Sequence, residues 1–351
     1  MPMIIPHSKP SLTLKDHRCL HDIFQTKMIA QHQFVRQFEK NFSTYHSLKD
    51  AVALNSGTAA LHLALLALDV QQGDEVIIPS YVCTALLNAV HYTQAKPVIV
   101  DVLRTDGNIC PAAVKQALTS KTKAVIVPHM FGIPADIRPI KNMGVPIIED
   151  CAQALGSEYR DKKIGQFGTI SIFSFYATKV ITTGEGGMLA ANNTKLINRV
   201  RDLRDYDNKP TYRVRFNYKL TDLQAKLGLN QFSRLDTFLK KRRAVAKKYD
   251  KAFLTLPVER PQIDSAKKHI DYRYIIRVEK KSALLKFLQG KGIQACSPVF
   301  RPLHACAQSS ACPQTTQLMR TEISLPIYPD LTAKETRHII QQVVQFYTKE
   351  R

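Results

Sequence analysis

The chain has 351 residues, 44% hydrophobic and 23% charged, which suits a folded globular protein and excludes a low-complexity or disordered one. Fifty Lys and Arg against 29 Asp and Glu give a formal charge of +21, a balance that favours anionic partners. The basic residues are scattered: the densest group, residues 240–243 with Lys247 and Lys248, reads as the solvated face of a helix, and no nucleic-acid module accompanies it, so nucleic acid is not the expected partner. No run of about 18 apolar residues occurs that could span a membrane, and the first residues lack the basic-then-apolar order of a secretory signal. Seven cysteines without a C-x-x-C pair point to reduced thiols and a cytoplasmic location. His304, Cys306 and Cys312 are close in sequence but match no zinc spacing, so no metal is expected.

Along the chain, residues 14–47 read as helical, with Leu20, Ile23, Phe24, Met28, Phe34, Phe38 and Phe42 as apolar points. A short strand over 51–54 stops at Asn55-Ser56-Gly57-Thr58, and a strong helical pattern follows over 59–68. Strands are then expected over 75–79, 97–100, 124–127, 146–148, 170–175 and 188–191, with a helix over 111–118. Strands alternating with helices imply an α/β domain built on a mainly parallel sheet, in which ligands bind beyond the carboxyl ends of the strands. Thr58, Asp150 and Lys179 all fall at or just after such ends, which turns three scattered residues into one candidate site. Thr221 is placed to cap a long helix over 222–253. A strand over 272–278 and helices over 284–289 and 334–347 complete an α+β segment. The expected division is a large α/β domain, 1–235, and a smaller C-terminal α+β domain, 236–351.

Three stretches carry chemistry. In residues 171–189 a lysine, Lys179, follows a buried strand among small and hydroxyl residues and precedes a glycine turn. Lysine is the side chain that forms a Schiff base with pyridoxal phosphate (PLP), and partial burial frees its amine to attack; an ordinary loop lysine is the alternative. In residues 146–157, Asp150 ends an apolar strand, where a carboxylate can bind a metal, cap a helix or pair with a cation; Gln153 follows about one helical turn on. In residues 55–68, the amides of a helix start with Thr58 beside them form a phosphate cradle, a feature that any capped helix shares.

Together these stretches resemble the DegT-type (StrS-like) nucleotide-sugar aminotransferases, PLP enzymes of the aspartate aminotransferase-like fold, fold type I. The resemblance extends through residues 73–80, 128–137, 216–236, 297–304 and 324–332. It implies that Lys179 is the catalytic, Schiff-base lysine, Asp150 the partner of the pyridine nitrogen and Gln153 the neighbour of the phenolic oxygen. It also implies that Thr58, Ala59 and Ser174 cradle the phosphate, and that Asn217 reaches the cofactor of the other subunit of a homodimer. His129 lies in a family motif and reads as structural. Cys83 falls where the family carries an aromatic that stacks on the ring, leaving Tyr81 as the nearby aromatic, and Lys219 replaces a common arginine. The implied reaction moves an amino group from glutamate to a nucleotide-linked keto sugar, a step in polysaccharide biosynthesis. A cyclitol or other ketone as acceptor, and a catalytically silent regulator on the same fold, are the alternatives.

Overall fold

Strands form where short β-branched runs are bounded by turn residues. The computed structural model describes residues 4–307, 309 and 311–348, with every side chain in them but that of Thr26. In chain order the strands are β1 (Asp50–Leu54), β2 (Glu75–Pro79), β3 (Lys96–Val100), β4 (Thr122–Pro128), β5 (Ile147–Asp150), β6 (Glu158–Tyr159), β7 (Lys162–Lys163), β8 (Ile170–Ser174), β9 (Gly187–Ala191), β10 (Lys267–Lys268), β11 (Tyr274–Arg277) and β12 (Glu322–Leu325). Seven make the central sheet, in the order β1-β9-β8-β5-β4-β2-β3. β3, β2, β4, β5 and β8 are parallel, whereas β9 runs antiparallel to both β8 and β1. The carboxyl ends of β1, β2, β4, β5 and β8 therefore open on one edge.

Alternate strand residues serve two faces, as a sheet buried on both sides requires. Val52, Ile78, Ile126, Ile148 and Ile172 pack with the helix Gly57–Ala67 on one face. On the other, Ala51, Phe173 and Met188 join Phe38 and Phe42 of the helix Gln33–Tyr45. A separate core unites Tyr274, Ile276 and Leu325 with Tyr249, Leu288, Ile339 and, from the start of the chain, Ile5. The helix Leu235–Phe253 contributes to two cores: Leu235 and Leu239 to the sheet's, Val245 and Tyr249 to the C-terminal one.

Two expectations change. The helical stretch over 14–47 is three helices, Leu14–Cys19, His21–Thr26 and Gln33–Tyr45, because Lys27 takes a left-handed conformation (φ 56°). The third of these is capped from far away: the Asp222 carboxylate accepts from the amides of His32, Phe34 and Val35 at 2.8, 3.0 and 2.9 Å. The long helix over 222–253 divides into Asp222–Phe232 and Leu235–Phe253. At the break the Ser233 hydroxyl donates to the Asn230 carbonyl, and Arg234 turns away to meet Asp16 at 2.5 Å. Thr221 caps the first piece as expected, accepting from the Gln224 amide.

His46 closes the aromatic core under the sheet, with ring centroids 4.5 Å from Phe42 and 4.7 Å from Phe173. Its Nε2 is buried without a partner, and burial holds its pKa down at about 4. The ring is neutral in the folded chain but titrates near 6.5 when unfolded. Its contribution is thus complete above pH 6.5 and lost as pH falls towards 4, by ~3 kcal/mol in all. His62, lowered to about 4, and His7, lowered to about 3, act in the same direction. Urea midpoints measured from pH 7 to 4 should fall less steeply in His46→Phe than in the wild type; equal slopes would show that His46 is not a source of the acid lability.

Candidate active site

Lys179 lies in the loop between β8 and β9, half-buried. The loop is laced back to the strand end. The Lys179 amide donates to the Tyr176 carbonyl (2.9 Å), Thr182 Oγ1 donates to the Phe175 carbonyl (3.1 Å), and the amides of Thr183 and Phe175 bond to Phe175 and Gly186 carbonyls. The lysine therefore projects from a rigid base rather than from a free loop. No carboxylate forms an ion pair with it among the described residues, so its amine is available.

Asp150 ends β5, the neighbour of β8 in the sheet. It is buried and accepts one hydrogen bond, from the Ala152 amide at 2.9 Å. Burial raises its pKa, while that amide and the charge of Lys179 pull the other way. Glu149, one residue earlier, faces the opposite side of the strand, and its carboxylate accepts from the amides of Gly165, Phe167 and Gly168. His129 Nδ1 accepts from the Ala135 amide, so its Nε2–H donates to Glu149 at 3.0 Å. Burial opposes the Glu149 charge, but these donors outweigh it and hold its pKa low. His129 and Glu149 thus satisfy each other and position β4 against β5, which leaves Asp150 as the carboxylate of this strand pair in need of a cation.

Gln153 sits in the turn after β5. Its Oε1 accepts from the Phe131 amide at 3.1 Å, which orients the side-chain NH₂ away from that bond as a free donor. Thr58 and Ala59 lie in the first turn of the helix Gly57–Ala67. Ser56 caps that helix by accepting from the Ala59 amide at 3.0 Å, so the unused donors at the helix start are the Gly57 and Thr58 amides. A Cβ on Gly57 would stand 2.9 Å from Ser174 Cβ, and one on Gly187 would stand 2.3 Å from the Ser56 carbonyl oxygen. Only glycine at both positions lets the helix start touch the ends of β8 and β9, bringing Ser174 to the same cradle. A depression of about 460 Å³ opens there, lined by Asn55, Ser56, Thr58, Ala59, Tyr218 and Glu185 among others. Asn217 is exposed, and its carbonyl accepts from Asn55 Nδ2 at 3.3 Å. Lys219 pairs with Asp205 (2.8 Å) and Asp207 (2.7 Å).

Cys83 is exposed, and Tyr81 is buried with its hydroxyl donating to Glu322 at 2.8 Å. His304 is held by Ser80 (2.6 Å). Sequence reading missed Tyr272. Its ring lies 5.6 Å from Lys179 Nζ, and its hydroxyl bonds with Thr178. Burial opposes the phenolate, but Lys179, Arg273, Thr178 and Arg242 together bring the pKa below the usual value, whereas burial drives the neighbouring Tyr274 up.

A lysine, a buried carboxylate and a capped helix start thus meet beyond the carboxyl ends of a parallel sheet. The sequence pattern of the DegT/DnrJ/EryC1/StrS aminotransferase family matches residues 11–344. The chain belongs to this family. Among curated relatives of this DegT-family chain is a GDP-perosamine synthase of Escherichia coli O157:H7, 33% identical over 98% of this chain and 99% of the relative. Another, of Caulobacter vibrioides, is 38% identical over 78% of this chain and 77% of the relative. Among solved structures, S. venezuelae DesV in complex with a ketimine intermediate superposes with a TM-score of 0.90 at 29% identity, covering 97% of this chain and 99% of that one. The mainly parallel α/β architecture and the aminotransferase family expected from the sequence are thereby shown.

Proposed function

We propose that this aminotransferase moves an amino group from glutamate to a keto sugar carried on a nucleoside diphosphate, with PLP as cofactor. The observation that carries the reading is the placement of Lys179 in the loop after β8 and of buried Asp150 at the end of the adjacent β5, with the Gly57 and Thr58 amides open at the start of the helix that packs on these strands. The names of the two relatives, both GDP-perosamine synthases, support a nucleotide-linked acceptor.

The residues suit PLP. Lys179 Nζ would hold it covalently, and Asp150, whose burial leaves it short of a cation, would face the pyridine nitrogen. The anchored Gln153 would donate to the phenolic oxygen. The Gly57 and Thr58 amides, the Ser174 hydroxyl and Asn217 of a second subunit would take the phosphate, with Ala59 closing the turn behind them. Bound there, the cofactor supplies an electron sink that makes the C–H bond next to the transferred nitrogen acidic. Lys179 Nζ, once free, takes that proton and returns it, and the loop bonds to Phe175 and Gly186 keep its stem in place meanwhile. Asp150 would keep a proton at the ring nitrogen, the condition for that electron sink.

A homodimer completes this reading: Asn217 is exposed in a segment whose Tyr212 and Val214 are 96% and 67% exposed, which suits burial against a second copy. The division between a PLP-binding domain, 1–235, and a small domain, 236–351, would fall at the start of the helix that serves two cores. A cytoplasmic location agrees with the finding that no described helix is long and apolar enough to cross a membrane.

The test is a visible absorbance spectrum of the purified protein with PLP, before and after glutamate. A new band that glutamate bleaches, and that a keto sugar nucleotide restores with release of an amino sugar, is the expected result. A protein that takes up no PLP would bring the silent-regulator reading to the front.

A further inference from the structure

The helix Leu235–Phe253 is held along one side and bare along the other. Phe238, Leu239, Val245, Ala246, Tyr249 and Phe253 are buried on its inner side. Its outer side carries Lys240, Arg243, Lys247, Lys248 and Lys251, all exposed, and none of them forms an ion pair among the described residues. At about 100° of turn per residue, Lys240, Arg243, Lys247 and Lys251 project within about 80° of one another, with Lys248 at their flank. Of the acids on this helix, Asp250 is engaged by Tyr274 and Arg260, and Asp236 sits in the first turn, before the cations begin. Like charges one turn apart destabilise a helix, and that spacing recurs here at 243/247 and 247/251. No ion pair within the described residues relieves the repulsion, whereas an anionic surface brought from outside would.

The same face ends in a hydrocarbon group. Leu254, still in helical conformation just past Phe253, is 84% exposed, and its direction falls between those of Arg243 and Lys247. Ammonium groups suit lipid phosphates, and a leucine among them suits the boundary between headgroups and acyl chains. Other anionic partners fit less well. Base stacking needs exposed aromatics, and Phe238, Tyr249 and Phe253 of this helix are buried. Bidentate phosphate contact needs arginine forks, and Arg243 is the one arginine on this face. A nucleic acid also gains nothing from Leu254. A second copy of the chain, docked face to face, would set cation against cation.

We infer that the outer face of the helix Leu235–Phe253, with Leu254 as its apolar tip, is a docking surface for an anionic lipid bilayer. The contact is peripheral: the helix lies along the lipid surface while its inner side stays packed on the protein. The formal charge of +21 adds a long-range attraction to the same surface. The face turns away from Lys179, since it is Arg242, on the buried side, that approaches the Tyr272 ring.

The experiment is co-sedimentation of the full chain with vesicles of phosphatidylcholine, with and without about one-third phosphatidylglycerol, at low and high salt. Binding should require phosphatidylglycerol and fall as salt rises. The triple variant Lys240→Gln, Lys247→Gln, Lys251→Gln should bind about 100-fold more weakly, from about 5-fold per charge. Lys115→Gln, Lys141→Gln, Lys286→Gln, which removes the same charge from exposed lysines elsewhere, should lose far less. Leu254→Ser, without a change of charge, should weaken vesicle binding by about 5- to 10-fold and leave retention on duplex DNA as it was. All these positions are exposed, so the variants should keep the wild-type melting temperature. Equal binding to both kinds of vesicle, or equal losses in the two triple variants, overturns the inference. Duplex DNA held more tightly than the vesicles, with Leu254→Ser silent on both, overturns it in favour of a nucleic-acid surface.

Discussion

In Lys179→Ala protein the visible band expected of the wild type with PLP should be absent, and amino transfer should fall by about 10⁴-fold or more, the usual cost of removing a covalent catalyst. The same group would hold the cofactor and carry the proton, so no neighbour can replace it. The fold should not suffer. Lys179 forms no ion pair, and its backbone bond to Tyr176 does not need the side chain. Its ammonium shares the Tyr272 ring with Arg242 and Arg273 and also favours the Asp150 charge, so truncation removes a repulsion and an attraction together. The apoprotein of the variant is expected to melt close to the wild-type temperature by calorimetry. Lys179→Arg, which keeps the charge but cannot form the imine, should be as inactive as Lys179→Ala. A variant that retained the band would remove Lys179 from the reaction.

Asp150→Asn should separate activity from stability in opposite directions. With the carboxylate replaced by a neutral amide of the same shape, the cofactor's ring nitrogen loses its charge partner inside the protein. Breaking a buried pair costs roughly 3–5 kcal/mol, which corresponds to a loss of about 10²- to 10⁴-fold in rate. In the apoprotein the effect reverses. Burial raises the Asp150 pKa, so the folded chain prefers the protonated form. A group with a raised folded pKa stabilises fully below its unfolded pKa, 3.8, and loses that contribution as pH rises through the folded value. At neutral pH the charge is therefore a burden to the cofactor-free chain, and removing it should raise the melting temperature by about 2–4 °C for each kcal/mol regained. Wild type and variant should converge as pH falls towards 4. An Asp150→Asn protein that melts lower than the wild type at pH 7, without cofactor, would contradict this account of the strand end.

The sequence alone showed the elements that carry the site. Short apolar runs ending in Asp150 and before Lys179, and a capped glycine turn at Ser56-Gly57-Thr58, are local patterns, and local chemistry is what a sequence displays directly. The helix-by-helix reading was weaker where a distant residue decides. Nothing between residues 14 and 47 announces that Asp222 caps the helix Gln33–Tyr45, and nothing near Arg234 announces that Asp16 ends the helix before it. The antiparallel course of β9 was equally hidden, since a buried strand reads the same in either direction.

By itself, then, the sequence determined the class of fold and offered Lys179 and Asp150 as candidates, because each is written within a few residues and obeys backbone rules that hold in any context. The tertiary structure decided what surrounds them. Tyr272 and Arg273 come nearly a hundred residues after Lys179, and it is the backbone bonding of Ile270 and Arg273 to Gly132 and Phe131, just after β4, that holds this segment at the large sheet. Whether an arginine in a sequence is a salt-bridge partner or an unpaired donor depends on which carboxylates end up within reach. That is a property of through-space distance, which chain order does not encode locally.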